Sequence, residues 1–216
     1  MKKFTALLIS VIVILSFASC KKTEQTEIKV TTATDGTVAE TQETTTLLRE
    51  REAFTLKDVA ADEILIAYFD GGYGAKKTAE YIKDLLGCES FEIKPVEEYP
   101  EDEAQKLERA DNEYENLILP ALEGSVENMS KYSVLIVVFP EFNGNMPMAV
   151  RTFLEDYDLR RIAVVPVILT KEDTESFAAS QISLLLSSSP VYEAVKLDVD
   201  EFDETAINAL LTKELE

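Results

Sequence analysis

Long apolar runs alternate with charged, helix-period segments from about residue 56 to the end of the chain. Residues 64–69 (ILIAYF) and 134–139 (VLIVVF) are unbroken apolar stretches of strand length. Runs of this kind predict strands buried on both faces, as in a parallel sheet. Residues 162–169 predict another strand, although Pro166 is awkward in a central position because its nitrogen cannot donate to a ladder. Phe91 and Ile93, on either side of Glu92, predict a shorter strand ended by Pro95 and Pro100, and residues 194–199 predict the last one.

The segments between them carry the helical period. Ala75, Ala79, Ile82 and Leu86 share one face, with Gly87 as a stop. Residues 101–118 are strongly charged, with a narrow stripe of Leu107, Ala110, Tyr114 and Leu117 or Ile118. Pro147 suits the first turn of a helix bearing Met148, Val150, Phe153 and Leu154. Residues 174–187 and 204–215 predict two more helices. Strands alternating with helices predict an α/β fold of three layers, a doubly wound parallel sheet of five strands. Right-handed crossovers leave few topologies, and the order 2-1-3-4-5 is one of two common solutions.

The N-terminal pattern differs. Lys2 and Lys3 precede a continuous apolar run from Ala6 to Leu15 broken only by Ser10, and Phe17, Ala18 and Ser19 lead into Cys20. The run is short for a membrane span and has the layout of an export signal. Residues 20–55 are rich in Thr, Glu and Gln, with no large apolar cluster before Leu47, and predict a flexible tether. The expected organisation is a leader over 1–19, a tether over 20–55 and one folded domain over 56–216.

Charge and composition narrow the function. The net charge of −20 argues against nucleic acid, which is held by clusters of Lys and Arg, and against a peripheral hold on anionic lipid. Such a surface confers solubility, or else meets a basic redox partner. There is no histidine, which removes the commonest general base and metal ligand. The two cysteines, Cys20 and Cys88, build no disulfide framework or CxxC pair, and Cys88 reads as a small core residue.

In doubly wound sheets, ligands bind beyond the carboxyl ends of the strands. The loop after the first strand holds Asp70, Gly71, Gly72, Tyr73, Gly74 and Ala75, followed by Lys76 and Lys77. Three of the seven glycines of the chain fall here. Such a turn aims main-chain amides at an anion, with the helix N-terminus adding about half a positive charge. Alternatively, Asp70 caps the helix and fills the anion place with its own carboxylate. The loop after the third strand holds Pro140, Glu141, Phe142, Asn143, Gly144, Asn145 and Met146. Its aromatic ring could stack on a flat heterocycle, and its amides could bond the edge. The loop after the fourth strand, Thr170 to Thr174, has no specific ligand chemistry; Asp173 or Thr174 suits a helix cap.

The run ILIAYF, the glycine turn and Lys76 to Ile82 resemble the opening strand, phosphate loop and first helix of the flavodoxin family, its larger bacterial branch in particular. Met146 to Glu155 (MPMAVRTFLE) is the closest stretch, and residues 63–200 are covered in all. Pro140 to Gly144 is similar to the flavin loop of NADPH-dependent FMN reductases. The resemblance implies FMN at the carboxyl edge of the sheet. The amides around Asp70, Gly71, Gly72, Tyr73, Gly74 and Ala75 would hold the phosphate. Phe142 would stack on the ring, Tyr73 would be a second stacker, and Pro140, Glu141, Asn143 and Gly144 would lie around it. The family loop reads Ser/Thr-x-Thr-Gly-Asn-Thr, and its hydroxyl positions are filled here by Asp70, Gly72 and Ala75. The Ala18-Ser19-Cys20 junction resembles a bacterial lipobox, with Phe17 where Leu is usual. That resemblance implies cleavage before Cys20, a lipid on Cys20 and an extracytoplasmic, membrane-anchored place in the cell envelope.

Two functional readings follow. One is an FMN-binding electron carrier of the envelope, with a redox protein partner. The other is a flavodoxin-like binding or scaffold module that has lost FMN.

Overall fold

The computed structural model describes residues 53–171 and 175–215. The predicted leader, Cys20, nearly all of the tether, and the cap candidates Asp173 and Thr174 lie outside the described residues. The strands are β1 (Ile64–Tyr68), β2 (Glu89–Glu92), β3 (Val134–Pro140), β4 (Ala163–Thr170) and β5 (Val195–Asp198). The helices are α1 (Ala75–Leu86), α2 (Glu103–Glu115), α3 (Met148–Glu155), α4 (Ala178–Leu185) and α5 (Glu204–Thr212). All neighbouring strands are parallel, in the order β2-β1-β3-β4-β5 expected from the sequence.

The apolar runs are explained by burial on both sides. Every residue of β1 and β3 is buried. Successive side chains point to opposite faces, so each strand feeds two cores. Leu65, Ala67, Leu135, Val137 and Phe139 face the layer that holds Ala110 of α2, Val150, Phe153 and Leu154 of α3, and Ile182 of α4. Ile64, Ile66, Ile136 and Val138 face the layer of α1 and α5, with Ala79, Ile82, Ile207, Leu210 and Leu211. Cys88 joins this second core, as expected of a small apolar residue.

Pro166 sits inside β4, opposite Val137 of β3. The Val164 amide donates to the Pro190 carbonyl, on the β5 side of the strand. Amide direction alternates along a strand, so the Pro166 nitrogen faces that same side. The bridge Val164↔Val191 is followed by the pair Val167↔Val195, so the β5 side carries one more residue than β4 there. This bulge leaves no ladder acceptor opposite the missing N–H. At the far edge of the domain, Phe54 and Leu215 exchange backbone hydrogen bonds of 3.4 and 2.9 Å, joining the start of the described chain to its end.

Several boundaries differ from expectation. Ile93 lies just beyond β2, although its amide still donates to the Tyr68 carbonyl at 2.7 Å. Helix α4 begins at Ala178 and ends at Leu185, shorter than residues 174–187. Helix α2 stops at Glu115, and its buried positions include Lys106 and Glu113 as well as Ala110. The predicted apolar stripe missed these two, which are satisfied within the fold: Lys106 by the Gly71 carbonyl, and Glu113 by Arg109 on the same helix and by the Tyr99 hydroxyl. Leu117, expected within this helix, instead has φ 52°. The Ile118 amide donates to the Glu113 carbonyl at 2.8 Å, closing a helix terminus at which glycine is the usual residue.

A left-handed leucine costs on the order of 1 kcal/mol or more. Its side chain is largely exposed, so little packing offsets the strain. Leu117→Gly is expected to raise the unfolding free energy by about 0.5 kcal/mol, because the greater chain entropy of glycine cancels part of the relief. Urea unfolding followed by circular dichroism measures it. A destabilised variant would show that the leucine side chain packs productively.

Candidate functional site

The carboxyl ends of β1, β3 and β4 bring the three expected loops together. In the first, Gly71, Gly72 and Gly74 have φ of 57°, 84° and 82°. Gly71 is required by space as well, since a Cβ there would stand 3.1 Å from each of Phe142, Phe69 and Pro140. The Asp70 carboxylate accepts the Lys76 amide at 2.8 Å, and its carbonyl accepts the Tyr73 amide at 3.0 Å. Asp70 thus provides a negative charge at the N-terminus of α1. The methyl of Ala75 is buried in the core behind the loop. Lys77 does not contribute charge here. Its ammonium lies over the Phe202 ring, 3.9 Å from the centroid.

Helix α2 is tied to all three loops. The Lys106 ammonium donates to the Gly71 carbonyl at 2.8 Å and lies 4.8 Å from the centre of the Tyr73 ring. Lys106 is only 7% exposed. Glu103 accepts from the Tyr73 hydroxyl and stands 3.7 Å from the Lys171 ammonium, beyond β4. Asp111 accepts from Asn143 Nδ2 through both oxygens at 2.9 Å. Further along, the Gln181 amide of α4 donates to the Tyr114 hydroxyl at 3.1 Å and to Asn145 Oδ1 at 2.8 Å.

The loop after β3 is a tight turn. Phe142 and Asn145 exchange backbone hydrogen bonds around Asn143 (φ 48°) and Gly144 (φ 78°). Pro140 is the last residue of β3. Phe142 is 2% exposed and contacts the rings of Phe69, Tyr73 and Tyr99. Tyr99 donates to Glu113, and the Arg109 guanidinium lies 4.2 Å from the Tyr99 ring centre. Burial, reinforced by the carboxylates they bond, pushes the Tyr73 and Tyr99 hydroxyls well above the usual tyrosine range. Glu141 accepts from Ser176, while its second oxygen is buried without a hydrogen-bond partner among the described residues.

The structure therefore brings together Asp70, Gly71, Gly72, Tyr73, Pro140, Glu141, Phe142, Asn143 and Gly144, with Gly74 and Ala75 at the start of α1. It also adds Tyr99, Glu103, Lys106, Asp111 and Gln181, which sequence reasoning did not single out. A periodic signal for part of this set exists, because Glu103, Lys106, Ala110 and Glu113 fall on one face of α2 at helical spacing.

In this arrangement the protein's own side chains crowd the place where FMN would lie. A phosphate at the α1 N-terminus would meet Asp70, at a cost of about 1 kcal/mol per unit charge in water and about 4 at an effective dielectric of 20, for a 4 Å separation. The cavity between Tyr73, Glu103, Glu141, Asn143 and Lys171 is about 70 Å³, whereas small-molecule pockets start near 300 Å³. Phe142, the expected stacker, is covered by Tyr73 and Tyr99. A larger hollow of about 520 Å³ opens on the β2 side of the first loop, where the carboxylates of Asp70, Glu92, Glu98 and Glu101 outnumber the ammonium groups of Lys94 and Lys106. These carboxylates disfavour an anion.

Burial pushes the Cys88 thiol, at the end of α1, up to about 11. It is expected to resist iodoacetamide at pH 8 in the folded protein and to react in urea. A raised folded value means the neutral thiol favours the fold. That contribution is complete below pH 9 and is lost as pH climbs toward 11. Mass spectrometry of alkylated protein checks the first point, and rapid native labelling would show that the site opens.

Comparison with known proteins fits this architecture. No curated protein matches. Among solved structures, a candidate flavoprotein from Bacteroides eggerthii is 24% identical, covering 68% of this chain and 94% of its own, with a TM-score of 0.61. A second, from Bacteroides uniformis, is 20% identical over 68% and 97%, with a TM-score of 0.61. A flavoprotein from Lactobacillus acidophilus, in complex with FMN, is 18% identical over 63% and 93%, with a TM-score of 0.56. At these identities the likeness extends to the fold alone. A family model described as flavodoxin matches residues 63–189, more than half of the 216. Together with the parallel sheet ordered β2-β1-β3-β4-β5, this match places the chain in the flavodoxin family.

Proposed function

We propose that this protein is a cofactor-free flavodoxin-family domain, held at the cell envelope by a lipid on Cys20, that works by binding rather than by electron transfer. One observation carries the reading. Helix α2 closes the cofactor cleft with its own side chains, Lys106 on the Gly71 carbonyl foremost. The absence of hydroxyl side chains at the loop positions of Asp70, Gly72 and Ala75 supports it. The envelope location rests on the pattern of Lys2, Lys3, the apolar run and Cys20.

Purified full-length chain is expected to be colourless. Its addition should leave FMN fluorescence unquenched up to about 100 μM protein, which corresponds to binding weaker than about 5.5 kcal/mol. A yellow protein, or quenching that saturates in the low micromolar range, would overturn the reading. Cys20→Ser should move the protein from the membrane to the soluble fraction and abolish labelling by radioactive palmitate. Continued labelling would place the lipid elsewhere.

The FMN-carrying reading is favoured by the three left-handed glycines of the first loop and by the family itself. It requires the Lys106–Gly71 bond to open and Phe142 to become accessible, and the same titration distinguishes it.

A further inference from the structure

Most of the large apolar side chains exposed on this acidic protein share one region. Among the described residues they include Val96, Tyr114, Leu117, Ile118, Leu119 and Leu184, which gather around the C-terminus of α2. Leu117 is 65% exposed and Leu184 78%. Leu117 and Ile118 form a ridge between two troughs. One trough, about 470 Å³, is lined by Tyr114, Leu117, Met146, Met148, Leu184 and Leu185. The other, about 550 Å³, is lined by Val96, Glu97, Ile118, Leu119 and Pro120. Leu117 holds its place in spite of a left-handed backbone that glycine would accept without strain.

Arg151 also lines the first trough and Arg109 the second, but the charge left unpaired around the ridge is acidic. The nearby cations are engaged within the molecule: Lys94 with Glu98 and Glu123, Arg109 with Glu113, and Arg151 with Glu155. Glu97, which lines the second trough, and Glu115, beside the ridge, are exposed and have no cation within salt-bridge distance among the described residues. Residues 177–192, which include α4, carry no charge at all. A contiguous apolar patch with a polar rim marks an interaction site, and an acidic rim selects a partner with the opposite sign. A second copy of this chain, at −20, is disfavoured by repulsion.

We propose that the ridge of Leu117, Ile118 and Leu119, with Leu184 beside it, docks a protein segment that presents apolar side chains flanked by Lys or Arg. This rests on the reading of the domain as a binding module and names its surface.

The test uses full-length protein and a fluorescein-labelled peptide of alternating Leu-Leu and Lys-Lys pairs, followed by anisotropy in 150 mM salt. Binding with a dissociation constant on the order of 10 μM is expected. The double variant Leu117→Ser, Leu184→Ser keeps the net charge and should bind about tenfold more weakly, as hot-spot losses do. Leu85→Ser, on α1, should bind as the wild type does. Leu117→Gly suits the helix terminus and should also weaken binding, which separates docking from folding. Equal affinity of all variants would overturn the proposal, as would equal binding of a peptide with Asp in place of Lys. So would a dimer in sedimentation that Leu184→Ser dissolves, since the occupant would then be a second copy. Peptide affinity and flavin binding are read separately, so failure of this surface and failure of the cofactor-free reading give different results.

Discussion

A single buried ammonium organises the upper edge of this protein. Lys106 donates a hydrogen bond to the Gly71 carbonyl while lying against the Tyr73 ring. Removing an ammonium from water costs several kcal/mol unless strong contacts offset it, and a hydrogen bond from a charged donor contributes roughly 1.5–3. The arrangement holds because the glycines of the loop leave room. A Cβ on Gly72 would stand 3.0 Å from the Lys106 nitrogen. With that bond in place, Glu103 and Asp111 fall naturally onto Tyr73 and Asn143, and α2 becomes a strap across three loops that are otherwise independent.

The architecture was legible because parallel sheets write themselves into sequence as unbroken apolar runs. β1 and β3 came out within a residue of expectation, since burial on both faces removes any alternation that could blur the ends. Pro166 is instructive in the opposite direction. Its missing donor argued against a central strand, and the fold answers by shifting the neighbouring chain by one residue on that side. No local pattern announces such a bulge, because it depends on where Val191 and Val195 meet the strand from a distance. The ends of α2 and α4 were equally obscure. Leu117 breaks a helix without being glycine, and Phe177 starts one without a side-chain cap.

The site was legible only as a location. Strand order pointed to the right loops, and the resemblance supplied a cofactor for them. The loops are tied down by residues that arrive from α2, and the apolar stripe of Leu107, Ala110 and Tyr114 masked the helical spacing that Lys106 and Glu113 share with Glu103 and Ala110. Charged side chains are expected outside, and they are buried here because the Gly71 carbonyl receives Lys106 while Arg109 and the Tyr99 hydroxyl satisfy Glu113. Asp70 was readable in two ways from sequence. Its bond to the Lys76 amide corresponds to the capping alternative, in which the protein itself supplies the negative charge at the helix N-terminus.

The pairing of Phe54 with Leu215 has a mechanical side. A force applied through the segment preceding residue 54 enters the domain at two backbone hydrogen bonds, one of them long at 3.4 Å. Beyond them stand α5 and the four-residue edge strand β5, next to the bulge beside Pro166. Tension would therefore peel this corner before it reached β3, and the strap of α2 over the carboxyl-end loops would remain closed while the domain began to yield.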